Sequence, residues 1–240
     1  MHITPHVTPR GAGVHIREHH SVLAEVERRT LVWIARRLPG AVNSDHLSGL
    51  ALASMAAAGL SFAAFPISGW AASGVVLSLA LNWFGDSLDG TLARVRQQQR
   101  PRYGYYVDHV IDLAGTALLF TGMACSGLMS PLVALAVLVA YLLVSSESYL
   151  ATHAAGVFHM SFLGFGPTEL RIVMAIGAMK AAATPWVSLP GIWTGRLFDV
   201  GGIVAVAGLV LAFMASAMRN TRDLYAAEPL PVRTESGRAA

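Results

Sequence analysis

The chain has 240 residues, of which 54% are hydrophobic and only 13% are charged. The charged share is about half of that in soluble domains and the mean hydropathy is +0.53, so the composition excludes an ordinary soluble domain and favours one membrane domain. The net charge of +3 comes from dispersed residues, and we therefore expect no nucleic acid partner. A lone cysteine excludes a disulfide framework within one chain.

Two N-terminal segments precede the apolar part of the chain. Residues 1–17 contain proline, glycine and histidine without periodicity, which predicts a flexible tail; no cleavable signal peptide is recognised. Residues 18–44 are predicted to form an amphipathic helix and a linker, with Trp33 and Ile34 near its apolar face and arginines as cations. This composition is typical of an interfacial helix on anionic headgroups, and a soluble helix packed on a partner is the alternative.

Six apolar segments follow, and each has close to the roughly twenty residues that cross a bilayer. We expect helices, because backbone polar groups must be satisfied internally within the hydrocarbon. The predicted fold class is an all-α membrane protein with six transmembrane helices over residues 45–218, followed by a disordered tail over 219–240. The six segments are residues 46–66, 70–92, 104–126, 131–152, 168–187 and 199–218.

The distribution of arginine predicts how these helices are oriented. Six arginines precede the first segment, four lie between the second and the third, and four follow the sixth. The loops on the opposite side offer only Arg196. By the positive-inside rule, both termini and the loop between the second and third segments face the cytoplasm. The protein is therefore predicted to be integral to the cytoplasmic (inner) membrane.

Four aspartates flank the basic loop between the second and third segments. Asp86 and Asp89 are three residues apart, and Asp108 and Asp112 are four apart, so each pair shares one helix face. On facing helices the four would form one cluster, in which two charges about 4 Å apart cost roughly 4 kcal/mol. Such a cluster requires protons or cations, and oxygen ligands suit Mg²⁺, Mn²⁺ or Ca²⁺. Pairing of the carboxylates with loop arginines is the alternative.

The same stretch resembles the signature of the CDP-alcohol phosphotransferase family. That signature is Asp-x2-Asp-Gly-x2-Ala-Arg, then eight or nine residues, then Gly-x3-Asp-x3-Asp, and the spacer here has nine residues. The order of helices around it is also similar to the family over roughly residues 45–218. All eight fixed positions are present: Asp86, Asp89, Gly90, Ala93, Arg94, Gly104, Asp108 and Asp112.

The resemblance implies an enzyme of phospholipid biosynthesis. It would transfer a phosphoalcohol group, with phosphatidyl transfer as the first interpretation, from a CDP-alcohol to a lipid or polyol acceptor and release CMP. Two divalent ions, Mg²⁺ or Mn²⁺, would bridge the acidic cluster and the anionic pyrophosphate, and a homodimer is expected. Asp112 takes the general-base position and can also touch the second ion. The implied metal ligands are Asp86, Asp89, Asp108 and Asp112, and the implied CDP-alcohol-binding residues are Gly90, Ala93, Arg94 and Gly104.

Three further polar residues are candidates for the acceptor side of the site: Glu147, Glu169 and Arg171. The run from Glu147 to Glu169 is similar to the family branch that transfers phosphoethanolamine or phosphocholine from a CDP-amino-alcohol to diacylglycerol, and such a transfer is the alternative function. The spacing of Thr168 and Arg171 is also that of an ordinary helix start. His109 points about 100° away from Asp108 on a helix and is interpreted as a packing or lining residue.

A rival from another class is a divalent-cation channel or transporter that uses the aspartates as a filter. A permeation path requires polar lining through the bilayer, whereas the segments are apolar beyond the aspartates. A relative that only binds nucleotide is a further alternative, and the intact Asp112 argues against it. The sequence therefore favours an enzyme.

Overall fold

The computed structural model describes residues 22–155, 167–189, 193–228 and 230. The predicted N-terminal tail, residues 1–17, lies outside this part of the chain. The described residues form a mostly helical fold in which a two-stranded antiparallel hairpin precedes the last helix. In chain order the elements are α1 (Val22–Ala35), α2 (Ser44–Ala63), α3 (Ala71–Val95), α4 (Pro101–Cys125), α5 (Pro131–Ala155), α6 (Pro167–Ala183), β1 (Trp186–Leu189), β2 (Trp193–Arg196) and α7 (Leu197–Ala227).

The helices begin where local chemistry allows it. At the start of α2, Asn43 Oδ1 accepts a hydrogen bond from the backbone N–H of His46 at 2.9 Å, and Asn43 N–H donates to His46 Nδ1 at 3.3 Å. This capping box satisfies two amide groups that the helix itself cannot pair. The first residue of α4 is Pro101, where its missing N–H is harmless and its fixed φ suits the helix.

Each of the six predicted apolar segments overlaps one of the helices α2 to α7. Among the described helices, α2, α4, α5 and α7 are long and apolar enough to cross a membrane, which supports an integral membrane protein. Helix α6 has only 17 residues, and α3 carries Asp86, Asp89 and Arg94 in its second half. That α3 and α6 also span the bilayer stays a prediction.

Three features correct the sequence-based expectations. The fold is mostly helical but not all-α, because β1 and β2 pair after α6. Helix α6 ends at Ala183 rather than near 187, since the residue before Pro185 is disfavoured in helical conformation. Helix α7 continues to Ala227, so the predicted tail over 219–240 does not begin at 219. No proline or glycine occurs between 219 and 227, and polar residues alone do not end a helix.

Contacts at the two ends of the helices define two ends of the bundle. At the hairpin end, the ring centroids of Phe62 in α2 and Phe198 in α7 are 5.6 Å apart, and Ser130 N–H donates to Asp199 at 2.6 Å. At the other end, Arg100 before α4 forms a 2.5 Å ion pair with Asp45 in α2. The end of α3 and the starts of α2 and α4 therefore lie together, and we call this the Arg100 end.

Helix α2 lies closely against both α3 and α4. A Cβ atom at Gly122 of α4 would overlap the backbone of Gly59 in α2, and one at Gly85 of α3 would lie 2.6 Å from the carbonyl oxygen of Leu47. Small residues permit this backbone approach between membrane helices. As a result α2 is held between the two helices that carry the aspartates.

The apolar face of α1 packs on the protein itself. Leu31 and Ala35 are buried in a small core with Leu88 of α3, and Ile34 is partly buried there. Trp33, by contrast, is 56% exposed, so the two residues that were predicted near one apolar face are separated. The described part of the predicted amphipathic helix is helical, but its location at the membrane interface stays a prediction.

Candidate active site

The four aspartates converge at the Arg100 end. Asp86 and Asp89 lie in the last three turns of α3, and Asp108 and Asp112 lie in the third and fourth turns of α4. The carboxylate of Asp112 is close enough to interact electrostatically with those of the other three aspartates. The carboxylate of Asp89 likewise interacts with those of Asp86 and Asp108. The helical spacing had placed each pair on one face, and the tertiary structure brings the two pairs together. We call these four residues the aspartate cluster.

Asp89 is held by the start of α2. Ser48 Oγ donates to Asp89 Oδ2 at 2.6 Å, and Ser44 Oγ donates to the backbone oxygen of Asp89 at 2.9 Å. The backbone N–H of Gly90 contacts Asp89 Oδ1 at 2.5 Å. These donors orient the carboxylate and leave further lone pairs of its oxygens for another ligand. Neither serine was identified from the sequence, which gives no local signal for a contact across more than forty residues.

Asp86 forms an ion pair with Arg171 of α6. The distance from Arg171 NH2 to Asp86 Oδ2 is 2.6 Å, and Arg171 Nε donates to Asn82 Oδ1 at 2.7 Å. The amide of Asn82 in turn donates to the backbone oxygen of Ala51 in α2 at 3.0 Å. Asn82 is a functional candidate that the sequence analysis missed, although its position one helical turn before Asp86 is a usable signal.

The chemistry of the aspartate cluster fits a hard divalent cation. Carboxylate oxygens are the preferred ligands of Mg²⁺ and Mn²⁺. Among the described residues, however, no three aspartate, glutamate, histidine or cysteine side chains surround one ion position. Asp86 and Asp89 are instead directed at Arg171 and at Ser48. Ion binding by three or more of these carboxylates therefore requires side-chain adjustment within the cluster.

The predicted nucleotide-binding residues border open space. A Cβ atom at Gly90 would meet only the Arg94 guanidinium, at 3.4 Å, and a Cβ atom at Gly104 would meet nothing within 4 Å. Ala93 is partly exposed and Arg94 is exposed. Arg94 NH2 donates to Thr91 Oγ1 at 3.1 Å, which leaves other donors of the guanidinium for a ligand. This surface on α3 continues directly from the aspartates.

The three predicted acceptor-side residues do not share one environment. Arg171 lies in the site beside Asp86. Glu147 of α5 instead accepts a hydrogen bond from Asn220 of α7 at 2.6 Å and links these two helices. Glu169 belongs to α6, and its side chain lies outside the described part of the chain. The structure therefore gives one of the three a direct contact with the aspartate cluster.

His109, interpreted from the sequence as a packing or lining residue, packs against two tyrosine rings. It is buried, and the centroid of its ring lies 4.0 Å from the ring centroid of Tyr105 and 4.7 Å from that of Tyr149. Its Nδ1 is 2.7 Å from the carbonyl oxygen of Tyr105. The neighbouring Asp108 has a side chain that is 45% exposed, so the cluster is open to water on this side.

Two arginines of the basic loop serve the fold. The guanidinium of Arg96 contacts the carbonyl oxygens of Leu38, Pro39 and Val42 in the linker between α1 and α2. Arg100 binds Asp45 at the start of α2. Loop arginines thus fix the ends of the helices around the site, whereas the arginine that reaches the aspartate cluster, Arg171, comes from α6.

A family model for CDP-alcohol phosphatidyltransferases matches residues 46–218. The chain belongs to this family. It is therefore a CDP-alcohol phosphotransferase, an enzyme that transfers a phosphatidyl group from a CDP-alcohol to an alcohol in phospholipid synthesis. The family assignment confirms the resemblance drawn from the aspartate signature and decides for an enzyme over a channel.

The fold is also similar to a solved structure, that of phosphatidylinositol phosphate synthase from Mycobacterium tuberculosis with CDP-DAG bound. The TM-score is 0.56 at 20% sequence identity, over 85% of this chain and 100% of the solved chain. At this identity the likeness concerns the fold alone. No curated protein sequence gives a significant match to the chain.

Proposed function

We propose that this CDP-alcohol phosphotransferase uses CDP-diacylglycerol as its donor and transfers the phosphatidyl group to the hydroxyl of a polyol acceptor at the aspartate cluster. The proposal is carried by the convergence of four aspartates from α3 and α4 beside the open surface at Gly90 and Arg94. The donor is suggested by the CDP-DAG bound to the similar synthase. Gly90 has no side chain, and a Cβ atom there would meet only the Arg94 guanidinium, which leaves room for a nucleotide along α3.

In this proposal the side chains have separate roles. Asp86, Asp89 and Asp108 would hold two ions of Mg²⁺ or Mn²⁺, with Asp112 as a further ligand. Bound there, the ions would supply positive charge against the pyrophosphate. Arg94 donates to phosphate oxygens through its planar fork. Ala93 and Gly104 leave space for the CDP moiety.

Asp112 acts as the general base. It accepts the proton of the acceptor hydroxyl, and the acceptor oxygen forms a bond to the β-phosphorus of the donor. The bond from that phosphorus to the oxygen that bridges it to the α-phosphate breaks, and CMP leaves with this oxygen. The proton passes from Asp112 to water through the exposed side of the cluster near Asp108.

The acceptor is proposed to enter on the side of Arg171. This residue is the cation in contact with Asp86, and its side chain remains 14% exposed. Its two hydrogen bonds to Asp86 and Asn82 fix the guanidinium plane, and Arg donates five hydrogen bonds, so further donors remain for an acceptor hydroxyl or an anionic group. We retain Glu169 as a candidate on this side and assign Glu147 to the α5–α7 contact.

The proposal also covers orientation and assembly. Both chain termini and the Arg100 end are placed in the cytoplasm, since the arginines concentrate there, and six helices, α2 to α7, are proposed to span the bilayer. A homodimer is proposed from the family resemblance alone.

A substrate panel tests this function. Purified enzyme with Mg²⁺ would be given one of three donors: CDP-diacylglycerol, CDP-ethanolamine or CDP-choline. Each donor would be combined with glycerol phosphate, inositol phosphate, another polyol or diacylglycerol as the acceptor. The measurement is the release of CMP. We expect CMP only with CDP-diacylglycerol and a polyol acceptor. The Asp89→Asn variant, which lacks one of the proposed metal ligands, is the negative control. CMP formation from CDP-ethanolamine or CDP-choline with diacylglycerol would replace this proposal by the alternative transfer.

A further inference from the structure

The outer face of α1 is strongly cationic. While Leu31 and Ala35 pack on α3, the opposite side of the helix carries a shallow groove of about 250 Å³. Residues 28–33 recur at helical spacing on this face, and Arg36 and Arg37 follow in the turn directly after α1. The groove is lined by Arg28, Arg29, Val32, Trp33, Arg36 and Arg37, and we call it the α1 arginine groove.

The chemistry of the α1 arginine groove suits a phosphate group. Guanidinium groups are planar, permanently charged and matched to phosphate oxygens through paired hydrogen bonds. The groove includes four of them between positions 28 and 37. Arg37 lies 4.0 Å from the centre of the Trp33 ring, which holds its guanidinium beside the groove. Arg36 and Arg37 are both exposed, so a ligand can reach them.

Trp33 indicates that the phosphate belongs to a lipid. This large amphipathic ring is 56% exposed at the edge of a cationic groove, and exposed Trp beside Arg is typical of surfaces at the level of lipid headgroups. Helix α1 is also fixed at the Arg100 end of the molecule. Glu27 accepts a hydrogen bond from Trp83 Nε1 of α3 at 2.9 Å, and α3 packs beneath α1 through Leu88, close to the ends of the apolar helices.

We propose that the α1 arginine groove is a binding site for the phosphate headgroup of an anionic phospholipid of the surrounding membrane, separate from the aspartate cluster. The phosphate of this lipid binds in the α1 arginine groove, while its acyl chains remain in the bilayer beside Trp33. Neutral lipids lack the net negative charge that the exposed Arg36 and Arg37 select. The proposal depends on the membrane location of the chain and is independent of the reaction proposed for the aspartates.

Lipid binding by the full-length enzyme in a neutral detergent tests the proposal. Native mass spectrometry would count bound lipid, and thermal unfolding would report stabilisation, with added phosphatidylglycerol, phosphatidylcholine or inorganic phosphate. We expect retention of phosphatidylglycerol and a higher melting temperature with it, and neither effect with phosphatidylcholine. Equal stabilisation by inorganic phosphate would show a free-anion site and overturn the lipid assignment.

Two charge-matched variants locate the site. Arg36→Gln with Arg37→Gln removes two groove cations and is expected to weaken phosphatidylglycerol binding at least about tenfold. Arg219→Gln with Arg222→Gln removes two exposed arginines of α7 and is expected to bind like the wild type. Unchanged binding by the groove variant, or an equal loss in both variants, would overturn the proposal. If the double groove variant does not fold, Arg36→Gln alone is compared with Arg222→Gln by the same criteria.

Discussion

Asp89 shows how single residues of the site depend on distant partners. Its carboxylate is bound by Ser48 and its backbone oxygen by Ser44, both on α2. Asp86 is similarly fixed by Arg171 of α6. A hydroxyl or guanidinium that holds a carboxylate sets the direction of its remaining lone pairs. The residues around the aspartates are therefore expected to influence metal affinity without touching the metal.

The first prediction concerns Asp112. Asp112→Asn keeps the size of the side chain but removes the proton acceptor, and CMP formation is expected to fall roughly 10² to 10⁴-fold. Nucleotide binding should persist, because Asp86, Asp89 and Asp108 remain. The control is Asp223→Asn on the exposed surface of α7, which should turn over normally. A folded Asp112→Asn enzyme with near-native turnover at saturating metal would show that Asp112 is not the base.

The second prediction concerns Ser48. Ser48→Ala removes the 2.6 Å hydrogen bond to Asp89 Oδ2, so the affinity for Mg²⁺ is expected to fall roughly 10- to 100-fold, while turnover at saturating metal is largely recovered. The measurement is CMP formation over a Mg²⁺ titration. Ser44→Ala is the control, since it removes a hydrogen bond to the backbone of the same aspartate and should change metal affinity less. Equal effects of the two variants would argue against a role through the carboxylate.

The third prediction concerns the metal. Excess EDTA is expected to abolish CMP formation, and added Mg²⁺ or Mn²⁺ should restore it, because four carboxylates and a pyrophosphate cannot be brought together without cations. Helical content measured by circular dichroism in EDTA serves as the control for folding. Full activity in the presence of excess chelator would exclude a divalent-ion mechanism.

At the scale of elements, α2 is the helix on which the site depends. It packs closely on α4 through Gly59 and Gly122 and on α3 through Gly85. It also supplies the serines that bind Asp89 and the Asp45 that binds Arg100. The relative placement of the two aspartate helices is thus set by a third helix that carries none of the four aspartates.

The fourth prediction follows from this packing. Gly122→Ala would place a methyl group against the backbone of Gly59, and overpacking of this kind costs about 1–3 kcal/mol, or roughly 2–12 °C in melting temperature for a chain of this size. Activity should fall with it, since α4 carries Asp108 and Asp112. Gly49→Ala on α2 is the control, because a Cβ atom there meets nothing within 4 Å. An unchanged melting temperature for Gly122→Ala would mean that the two helices are not in backbone contact.

At the scale of the whole molecule, the two ends of the bundle carry different features. The Arg100 end combines the aspartate cluster, the basic loop and α1. The hairpin end combines β1, β2 and the contact between Ser130 and Asp199. In the proposed topology these ends face opposite aqueous compartments, and the nucleotide is expected to approach from the side of the Arg100 end.

The fifth prediction tests which compartment that is. Thr194→Cys in the hairpin and Gln98→Cys in the basic loop, both exposed positions, would be made in a Cys125→Ser background. An impermeant maleimide is expected to label position 194 on intact cells, and position 98 only after the membrane is permeabilised, because arginine-rich loops stay in the cytoplasm. Labelling of both after permeabilisation is the control. The opposite pattern on intact cells would invert the orientation and place the site outside.

The sequence by itself determined that apolar helices form, that the aspartates lie in two pairs on helix faces, and which family the chain belongs to. These depend on local spacing: apolar runs of about twenty residues predict helices, and separations of three and four place Asp86 with Asp89, and Asp108 with Asp112, on one face each. The reaction class followed from a signature whose fixed positions all lie within 27 residues. The roles of the individual site residues stay predictions.

Only the tertiary structure decided which partners surround the aspartates. Ser48 reaches Asp89 from α2, and Arg171 reaches Asp86 from α6, 85 residues away in the chain. The structure likewise separated Glu147 from this environment and turned the apolar face of α1 onto α3. Local periodicity specifies which side of a helix is apolar or acidic, but the element that covers that side depends on the packing of helices distant in sequence. That packing is set by the close approach of α2 to α3 and α4, at glycines whose partners no local pattern identifies.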